Sequence, residues 1–539
     1  MHKYLYIILI LLPIYSYSTT YPVDGDTLSQ TQIMIQWDEM PKANAYILKI
    51  KENNVKIIYN DTVKSLAKLV HNVFQYGNSY TWTITGLNDK AAYINQFSAS
   101  FYIKNNTVNL ATSITKKNIN TAHNKGIIIL DGCGAAIDMA GNVVWLLEQR
   151  NLKSIETGIS FRNMQINKQG NITTLLQSNF LECNLQGTVL WQAPKKGIYS
   201  NDSIEPYHHD GVRLSNGNYL IASYQYEKEP CYTQPKDTCT VQYGTLLEYN
   251  QQQKLVWKWS EKNTIDPKFV YKDYEKGNSV ITGSHLNGFN IYDNKIITSY
   301  RDNNRLAIHD KNTGALINEY YPTPAVQYEG QHSPTIINDS TILYYNNNLS
   351  RANKNKLTEE LRINATVIIA NTTKNSLIKK WEYEIKSDSF PEGTTGKEGG
   401  IQLLPNGNYL ICVGGKHRLL IVTPEQEIDW DCYLYRYNEM EKKQNPMPSY
   451  RAHYYSSLYP NYYTIQKSYT AQVHTIKINN DGTDENSFLI TTSNKKITYR
   501  YITPKVQPNS STIVKLPKGV TKINVSINGI LGSTITVKL

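Results

Sequence analysis

Hydrophobic and polar positions alternate along most of this chain in short segments, and turns rich in Asn, Gly and Asp separate the segments. A two-residue period predicts β-strands, because successive side chains of a strand point to opposite faces of its sheet. The clearest hairpin signals are the nearly identical segments 216–221 and 406–411, in which Asn-Gly-Asn precedes Tyr-Leu-Ile. The pattern therefore predicts an all-β protein built from many hairpins.

A longer repeat is superimposed on the hairpins after residue 115. A strand, a polar turn and a strand that ends in Trp or an apolar residue recur, and a further hairpin signal precedes each copy. The copies span residues 134–145, 180–191, 246–259, 306–317, 367–381 and 419–430. Two hairpins per copy make four strands, and such copies in series are typical of a β-propeller, here with six blades. We predict a six-bladed β-propeller over 115–500.

The two ends of the chain differ from this repeat. Residues 19–104 contain strand-like segments at 33–37, 45–50 and 80–84, with Trp37 and Trp82, and they resemble a fibronectin type III-like β-sandwich. Residues 501–539 form a C-terminal β tail. The sequence leaves open whether this tail closes the ring, forms an extra sheet or packs against the N-terminal domain.

The first 18 residues predict a secretory signal peptide. Lys3 precedes an apolar run from Leu5 to Ile14, and small residues follow at 16–18. The run is too short to span a bilayer, which needs about 20 residues. We expect an exported chain, periplasmic or secreted, with no membrane span; an uncleaved anchor is the alternative.

Composition narrows the range of partners and cofactors. The 539 residues carry 56 Lys and Arg against 45 Asp and Glu, a net charge of +11, but the basic residues form no run. We therefore predict no nucleic-acid partner. Cys-x-x-Cys and His-Glu-x-x-His are absent from the sequence, so no zinc site is predicted.

The six cysteines divide into two groups. Cys231 and Cys239 lie in a polar, Pro-containing loop and are predicted to form a disulfide, which an oxidising compartment permits. The other four fall in strand-like segments and are predicted to be core thiols: Cys133, Cys183, Cys412 and Cys432.

Three histidines occupy matching positions in consecutive repeats. His209, His285 and His332 lie seven, nine and six residues before the Asn that opens the following turn. The first strand of a propeller blade lines the central channel, so we expect these imidazoles to converge at one end of it. Arg301 ends the next strand of the His285 repeat and is predicted to reach the same place.

This combination indicates a particular chemistry. Arg and imidazoles without a carboxylate in register suit a tetrahedral oxyanion such as sulfate or phosphate better than a metal ion. A neutral imidazole is also a competent nucleophile near pH 7. The residues therefore predict transfer of a sulfuryl or phosphoryl group through a covalent histidine, and no nucleotide-binding motif is visible.

The same positions resemble the bacterial arylsulfate sulfotransferases. The resemblance rests on His285-x-Asn287, Arg301 sixteen residues after His285, Gln331-His332 and the Leu-Pro-Asn-Gly-Asn segment at 404–408. It spans about residues 115–465 and includes Tyr450-Arg451-Ala452 and Ser457-Leu458-Tyr459-Pro460. It implies an exported six-bladed propeller with an N-terminal β-sandwich and no cofactor, in which an aryl sulfate donor and a phenolic acceptor react without the nucleotide donor PAPS.

The resemblance also implies roles for individual residues. His332 is the nucleophile that becomes sulfohistidine in a ping-pong mechanism, and Arg301 and His285 bind the sulfuryl oxygens. His209 orients the sulfuryl group or moves the phenol proton, although the sequence does not exclude His208 from that place. His208, Asn287 and Arg451 are predicted to bind substrate, with Arg451 on the last blade.

Two departures and two alternatives accompany this interpretation. Residues 345–348 read Tyr-Asn-Asn-Asn where the family commonly has Asp-Asn-Gly, and Asn287-Gly288 stands where Asn-Ser is frequent. Both affect the expected substrate preference. A non-catalytic exported propeller that binds a sulfated or phenolic ligand, and a metal-dependent lyase or hydrolase, remain alternative functions. A homodimer is left open.

Overall fold

The computed structural model describes residues 20–117, 126–148, 152, 161–197, 199–200, 205–230, 238–264, 280–282, 284–348, 366–374, 376–385, 398–438, 440–470, 473–492 and 498–539. Within these residues the chain is all-β, as predicted, with one short 3₁₀ helix at Glu261–Asn263. No helix of the described part is long and apolar enough to cross a membrane. The predicted signal peptide lies outside the described residues.

The first seven strands form two sheets around one core. They are β1 (Asp26–Leu28), β2 (Ile33–Gln36), β3 (Ala45–Glu52), β4 (Lys56–Val63), β5 (Ala67–Val70), β6 (Ser79–Leu87) and β7 (Tyr93–Ile103). The larger sheet has the order β1-β7-β6-β3-β4, and β2 pairs with β5. Alternate residues of β3 and β6 are buried, which places Tyr46 and Trp82 in a core shared with Trp37.

Six further sheets each contain four neighbouring antiparallel strands. Sheet 1 contains β9 (Ile127–Leu130), β10 (Ala135–Asp138), β11 (Val143–Leu146) and β34 (Ala452–Tyr455). Sheet 2 contains β12 (Arg162–Ile166), β13 (Ile172–Leu175), β14 (Phe180–Cys183) and β15 (Val189–Gln192). Sheet 3 contains β16 (Gly211–Arg213), β17 (Tyr219–Pro230), β18 (Thr238–Tyr249) and β19 (Leu255–Ser260).

The other three sheets follow in chain order. Sheet 4 contains β21 (Leu286–Tyr292), β22 (Lys295–Tyr300), β23 (Arg305–Asp310) and β24 (Leu316–Tyr320). Sheet 5 contains β25 (His332–Asn338), β26 (Thr341–Asn346), β27 (Thr366–Thr372) and β28 (Leu377–Glu384). Sheet 6 contains β29 (Gly400–Leu403), β30 (Tyr409–Cys412), β31 (Arg418–Val422) and β32 (Ile428–Asn438). Three additional strands extend sheets 3 and 6: β20 (Val280–Thr282) on β18, and β8 (Leu110–Lys117) and β33 (Lys443–Pro446) on β32.

The predicted Asn-Gly-Asn turns precede β17 and β30. Gly217 and Gly407 have φ angles of 83° and 89°, which an L side chain rarely adopts, so the turn requires glycine there. Asn218 Nδ2 donates to Glu248 at 2.6 Å, so the turn is also tied to the third strand of its sheet.

Each of the six sheets contacts the next, and sheet 6 contacts sheet 1. β34 pairs with β9, so a late segment of the chain supplies an edge strand of the first sheet. The recurring aromatic residue of the last strand joins neighbouring sheets, because its N–H or O–H donates to a turn carbonyl of the next sheet. The pairs are Trp145 to Leu185 at 2.8 Å, Trp259 to Gly314 at 3.1 Å, Tyr320 to Thr373 at 3.2 Å, Trp381 to Pro424 at 2.8 Å and Trp430 to Met139 at 3.1 Å. Trp191 instead stacks on Tyr219 of sheet 3, with ring centroids 3.7 Å apart.

The last strands form two more sheets. They are β35 (Tyr463–Thr470), β36 (Val473–Asn480), β37 (Phe488–Thr492), β38 (Arg500–Ile502), β39 (Ser510–Lys515), β40 (Lys522–Ile527) and β41 (Ile535–Lys538). Their orders are β35-β36-β39 and β38-β37-β40-β41. Residues before and after position 500, Ile476 and Val525 among them, share one core. Ser65 donates to Asp481 at 2.5 Å and Lys477 donates to the carbonyl of Lys64 at 2.9 Å, so these sheets pack against the N-terminal ones.

The described cysteines fall into the two groups that the sequence predicts. Cys133, Cys183, Cys412 and Cys432 are buried free thiols, which confirms that prediction. Cys239 is disulfide-bonded, and Cys231, its predicted partner, lies outside the described residues.

Candidate active site

Each of the six sheets has one edge strand among β12, β16, β21, β25, β29 and β34, and residues at or just before the start of five of these strands, with Arg301 directly after β22, form one group of interacting side chains. We call this group the central cluster; its members are Arg162, His208, His209, His285, Arg301, His332, Tyr450 and Arg451. Ring contacts connect them: the ring of His209 lies 5.1 Å from that of His285 and 6.3 Å from that of Tyr450. The convergence of His209 and His285 follows from their matching positions in neighbouring repeats.

His209 and His285 share an unusual backbone conformation. Their φ angles are 58° and 53°, in the left-handed region that non-glycine residues seldom occupy. His285 immediately precedes β21, and His209 lies two residues before β16. Burial, reinforced by the charge of Arg301, lowers the pKa of His285 to about 4. Burial and the neighbouring imidazoles lower the pKa of His209 well below its usual value, so both rings are neutral near pH 7.

His208 points to a different neighbour from His209. Its ring stacks on Tyr224, with centroids 3.5 Å apart, and its Nδ1 lies 2.6 Å from Nδ1 of His209. One of these two nitrogens therefore donates to the other. His209, and not His208, has a ring contact with His285, so His209 is the member of the pair nearer to the predicted sulfuryl site.

His332 is held in one tautomer. Its Nδ1 lies 2.8 Å from the carbonyl oxygen of Gly330 and 2.7 Å from Oδ1 of Asn347. Both neighbours are acceptors, so Nδ1 carries the proton and Nε2 keeps its lone pair. The side chain is only 3% exposed, and burial, with the charge of Arg451, lowers its pKa to about 3. A neutral imidazole with an unprotonated Nε2 is the form that can attack an electrophile.

Two other predicted residues support His332 and His285. The backbone N–H of Arg301 donates to the carbonyl of His285 at 3.1 Å, and the charge of Arg301 lowers the pKa of both histidines. Asn287 is fully buried, and its Nδ2 donates to the carbonyl of Gln331 at 2.7 Å. Asn287 therefore holds the residue before His332, while its Oδ1 is buried without a hydrogen-bond partner.

Arg451 and Tyr450 enter the cluster from the loop before β34. The sequence predicts Arg451 on the last repeat, whereas in the structure it immediately precedes β34, which pairs with β9 of sheet 1. Both carboxylate oxygens of Asp131 accept from this loop, from the backbone N–H of Tyr450 and of Arg451 at 2.8 Å each. Nη1 of Arg451 donates to the carbonyl of Gly399 at 2.7 Å.

The ring of Tyr450 contacts the guanidinium groups of two arginines. Cζ of Arg451 is 4.3 Å from the ring centroid, and Cζ of Arg162 is 5.9 Å from it. Sequence reasoning missed Arg162, although it opens β12 and lies nine residues before Asn171, the same slot that identified His285. Arg162 therefore has the same spacing to its turn as His285, with arginine in place of histidine.

Asp210 is a further residue that the sequence did not single out. Its side chain is buried, its Oδ2 accepts from the backbone N–H of Phe289 at 3.2 Å, and burial raises its pKa. A Cβ on Gly288 would lie 3.1 Å from this oxygen and 3.5 Å from the backbone nitrogen of Ser333, so Gly288 permits a close approach beside His332. In the described part of the chain, no group of three or more His, Cys, Asp and Glu is arranged to hold a metal ion.

Comparison with known proteins links this arrangement to one family. The family model described as Arylsulfotransferase (ASST) matches residues 95–317, which confirms the resemblance seen in the sequence. The matched region contains His209, His285 and Arg301 and ends before His332 and Arg451. No curated protein matches the chain.

The solved structures that resemble this chain are distant. A Bacteroides caccae protein of unknown function is 15% identical, with 57% of this chain and 93% of that chain covered and a TM-score of 0.36. An inactive virginiamycin B lyase from Staphylococcus aureus with quinupristin is 12% identical, with 60% and 99% covered and a TM-score of 0.33. The β-propeller domain of Cps50 (Swd1) from Myceliophteria thermophila is 9% identical, with 61% and 86% covered and a TM-score of 0.25.

Proposed function

Because the chain matches the arylsulfotransferase family over residues 95–317, we propose that it moves a sulfuryl group from an aryl sulfate to a phenolic acceptor, without PAPS, through a sulfohistidine at His332. The observation that carries this proposal is the state of His332. Two acceptors occupy Nδ1, and burial keeps the ring neutral, so Nε2 is available as a nucleophile.

In the first half-reaction, Nε2 of His332 attacks the sulfur of the aryl sulfate and forms an N–S bond. The bond between sulfur and the aryl oxygen breaks, and the oxygen leaves with the electron pair as a phenolate. The ring of His332 becomes positive as the N–S bond forms. Gly330 O and Asn347 Oδ1 stabilise that charge, because both accept from Nδ1–H. Arg301 and the N–H of His285 bind the sulfuryl oxygens.

In the second half-reaction, the oxygen of the acceptor phenol attacks the same sulfur. The N–S bond breaks, and its electron pair returns to Nε2 of His332. The phenol proton passes to His209, whose pKa rises once the negatively charged sulfuryl group lies beside it, and then to solvent, where the first phenolate is protonated. The chain is regenerated, and neither a metal nor a nucleotide takes part.

We also propose that sheets 1 to 6 are the blades of a six-bladed propeller and that β1 to β7 form a fibronectin type III-like domain. The contacts from each sheet to the next, and from sheet 6 back to sheet 1, support the first assignment. The paired sheets around Trp37 and Trp82 support the second. With a signal peptide over residues 1–18, the enzyme would act after export.

The test uses p-nitrophenyl sulfate as donor and phenol as acceptor, with and without a chelator. We expect nitrophenolate release that depends on phenol and is unchanged by EDTA. Without phenol, one SO₃ group should remain on the peptide that contains His332, as measured by mass spectrometry. His332→Asn should abolish both signals, and His71→Asn, the same change at an exposed site, should abolish neither. Absence of acceptor-dependent release from the wild-type protein would refute the transferase proposal, and loss of activity in EDTA would indicate a metal enzyme.

A further inference from the structure

The group formed by Arg162, Tyr450 and Arg451 has hydrogen-bonding capacity that the sulfuryl transfer above does not use. Arg451 is 3% exposed, yet its Nη2 has no hydrogen-bond partner. The hydroxyl of Tyr450 is also buried without a partner. Buried donors that lack an acceptor are rare and costly, and two on adjacent residues indicate that a ligand supplies the acceptors.

The charge around these donors selects an anion. The guanidinium groups of Arg162 and Arg451 both lie within 6 Å of the ring of Tyr450. Among the described residues, no carboxylate lies within 4 Å of either guanidinium. Asp210 and Asp131 interact electrostatically with Arg451 from a greater distance, and Asp131 also accepts from backbone N–H groups of the loop. Within the part of the chain that the structure describes, the positive charge of this pair is therefore not neutralised by an ion pair.

The group borders the sulfuryl site. Arg301 and Arg451 both lower the pKa of His332, and the ring of Tyr450 lies 6.3 Å from that of His209 between centroids. His209 is the residue that receives the acceptor's proton in the proposed function. A molecule whose phenolic oxygen lies at His209 can place a substituent beside Tyr450.

We propose that Arg162, Tyr450 and Arg451 form a carboxylate subsite and that the preferred acceptors are phenols with an anionic carboxylate substituent. This inference rests on the proposed transfer reaction and names its acceptor class. The carboxylate accepts from Nη2 of Arg451 and the hydroxyl of Tyr450, and Arg162 adds the second positive charge.

The test compares two acceptors that differ only in charge, 4-hydroxyphenylacetate and 4-hydroxyphenylacetamide, with p-nitrophenyl sulfate as the constant donor. A methylene group separates the substituent from the ring, so the phenol groups have similar acidity. We expect kcat/KM to be at least about tenfold higher for the carboxylate, because charge-assisted hydrogen bonds are the stronger ones. Arg162→Gln should reduce that ratio to below about threefold, Arg162→Lys should preserve most of it, and Lys518→Gln, which removes an exposed charge elsewhere, should leave it unchanged.

Several results would overturn the subsite. Equal kcat/KM for the two acceptors would overturn it. An Arg162→Gln variant that slows the donor half-reaction as much as the acceptor half-reaction would also overturn it, because Arg162 and Arg451 would then belong to the sulfuryl site. Calorimetry of the donor-free protein measures the binding of each acceptor directly and needs no turnover. If no acceptor is sulfated but the carboxylate binds at least tenfold more tightly than the amide, the transferase proposal fails and the subsite stands; equal binding overturns the subsite as well.

Discussion

The neutral state of His332 leads to a prediction about acid pH. Lowering the pH from 7.5 to 5.0 protonates an ordinary histidine, whose pKa is about 6.5, and so removes its lone pair. His332 differs because burial and the charge of Arg451 lower its pKa to about 3. A base with a lowered pKa keeps its neutral form as the pH falls and loses it only near that lower pKa. The donor half-reaction should therefore persist at pH 5.

The difference between the two pKa values predicts a large difference in rate at pH 5. At pH 5, a histidine with a pKa of 6.5 is about 3% neutral, whereas one with a pKa of about 3 is about 99% neutral. The rate of sulfuryl transfer to His332 should thus fall less than about twofold between pH 7.5 and 5.0. An unperturbed nucleophile would give a fall of about 30-fold.

The assay is a single-turnover burst with enzyme in excess over p-nitrophenyl sulfate and no acceptor. Samples quenched into base report nitrophenolate independently of the reaction pH. Circular dichroism at each pH shows whether the fold persists, so that loss of rate is not confused with unfolding. A burst rate that titrates with an apparent pKa near 6.5 while the fold is intact would refute the reasoning from burial.

Three further predictions concern the tautomer, the sheet contacts and a buried ion pair. Asn347→Ala removes one of the two acceptors at Nδ1 of His332, the proposed nucleophile. The burst rate should fall about fivefold, the equivalent of about 1 kcal/mol, with little change in donor affinity. An unchanged rate would contradict the tautomer argument. Trp430→Phe leaves a turn carbonyl of sheet 1 without its donor and should lower the free energy of unfolding by about 1 to 3 kcal/mol, measured as a lower urea midpoint. Trp381→Phe, at a more exposed junction between sheets, should lower it less. Asp431→Asn removes the charge that pairs twice with the buried guanidinium of Arg418 at 2.9 Å and should cost about 3 to 5 kcal/mol; a loss below 1 kcal/mol in thermal unfolding would show that the pair is well solvated.

Much of the fold could be predicted from the sequence because its strand and turn signals are local. The Asn-Gly-Asn segments form turns where expected, and the recurring Trp residues lie on the last strands of their sheets. The place of β34 could not be predicted in this way. Its pairing with β9 joins residues about 300 positions apart, and no local pattern encodes that partner.

Some residues of the candidate site can likewise be predicted from local sequence, and others depend on contacts between distant segments. His209, His285 and His332 were found because each precedes a turn at a similar spacing, which is a property of the sequence. Arg162 has the same spacing too, but an arginine at this position is not by itself a nucleophile or a proton carrier, so its residue type gives a weaker signal than histidine. The unpartnered donors of Tyr450 and Arg451 depend on which residues approach them in space, so only the structure reveals them.

The left-handed backbone at His209 and His285 has a consequence for engineering. A side chain in this region costs about 1 to 2 kcal/mol relative to the ordinary conformation, whereas glycine adopts it readily. His209→Gly and His285→Gly should therefore be more stable than the corresponding alanine variants. A screen that scores only melting temperature would favour glycine over alanine at both positions and would not retain the imidazoles. Selection for thermal stability must therefore be coupled to selection for turnover.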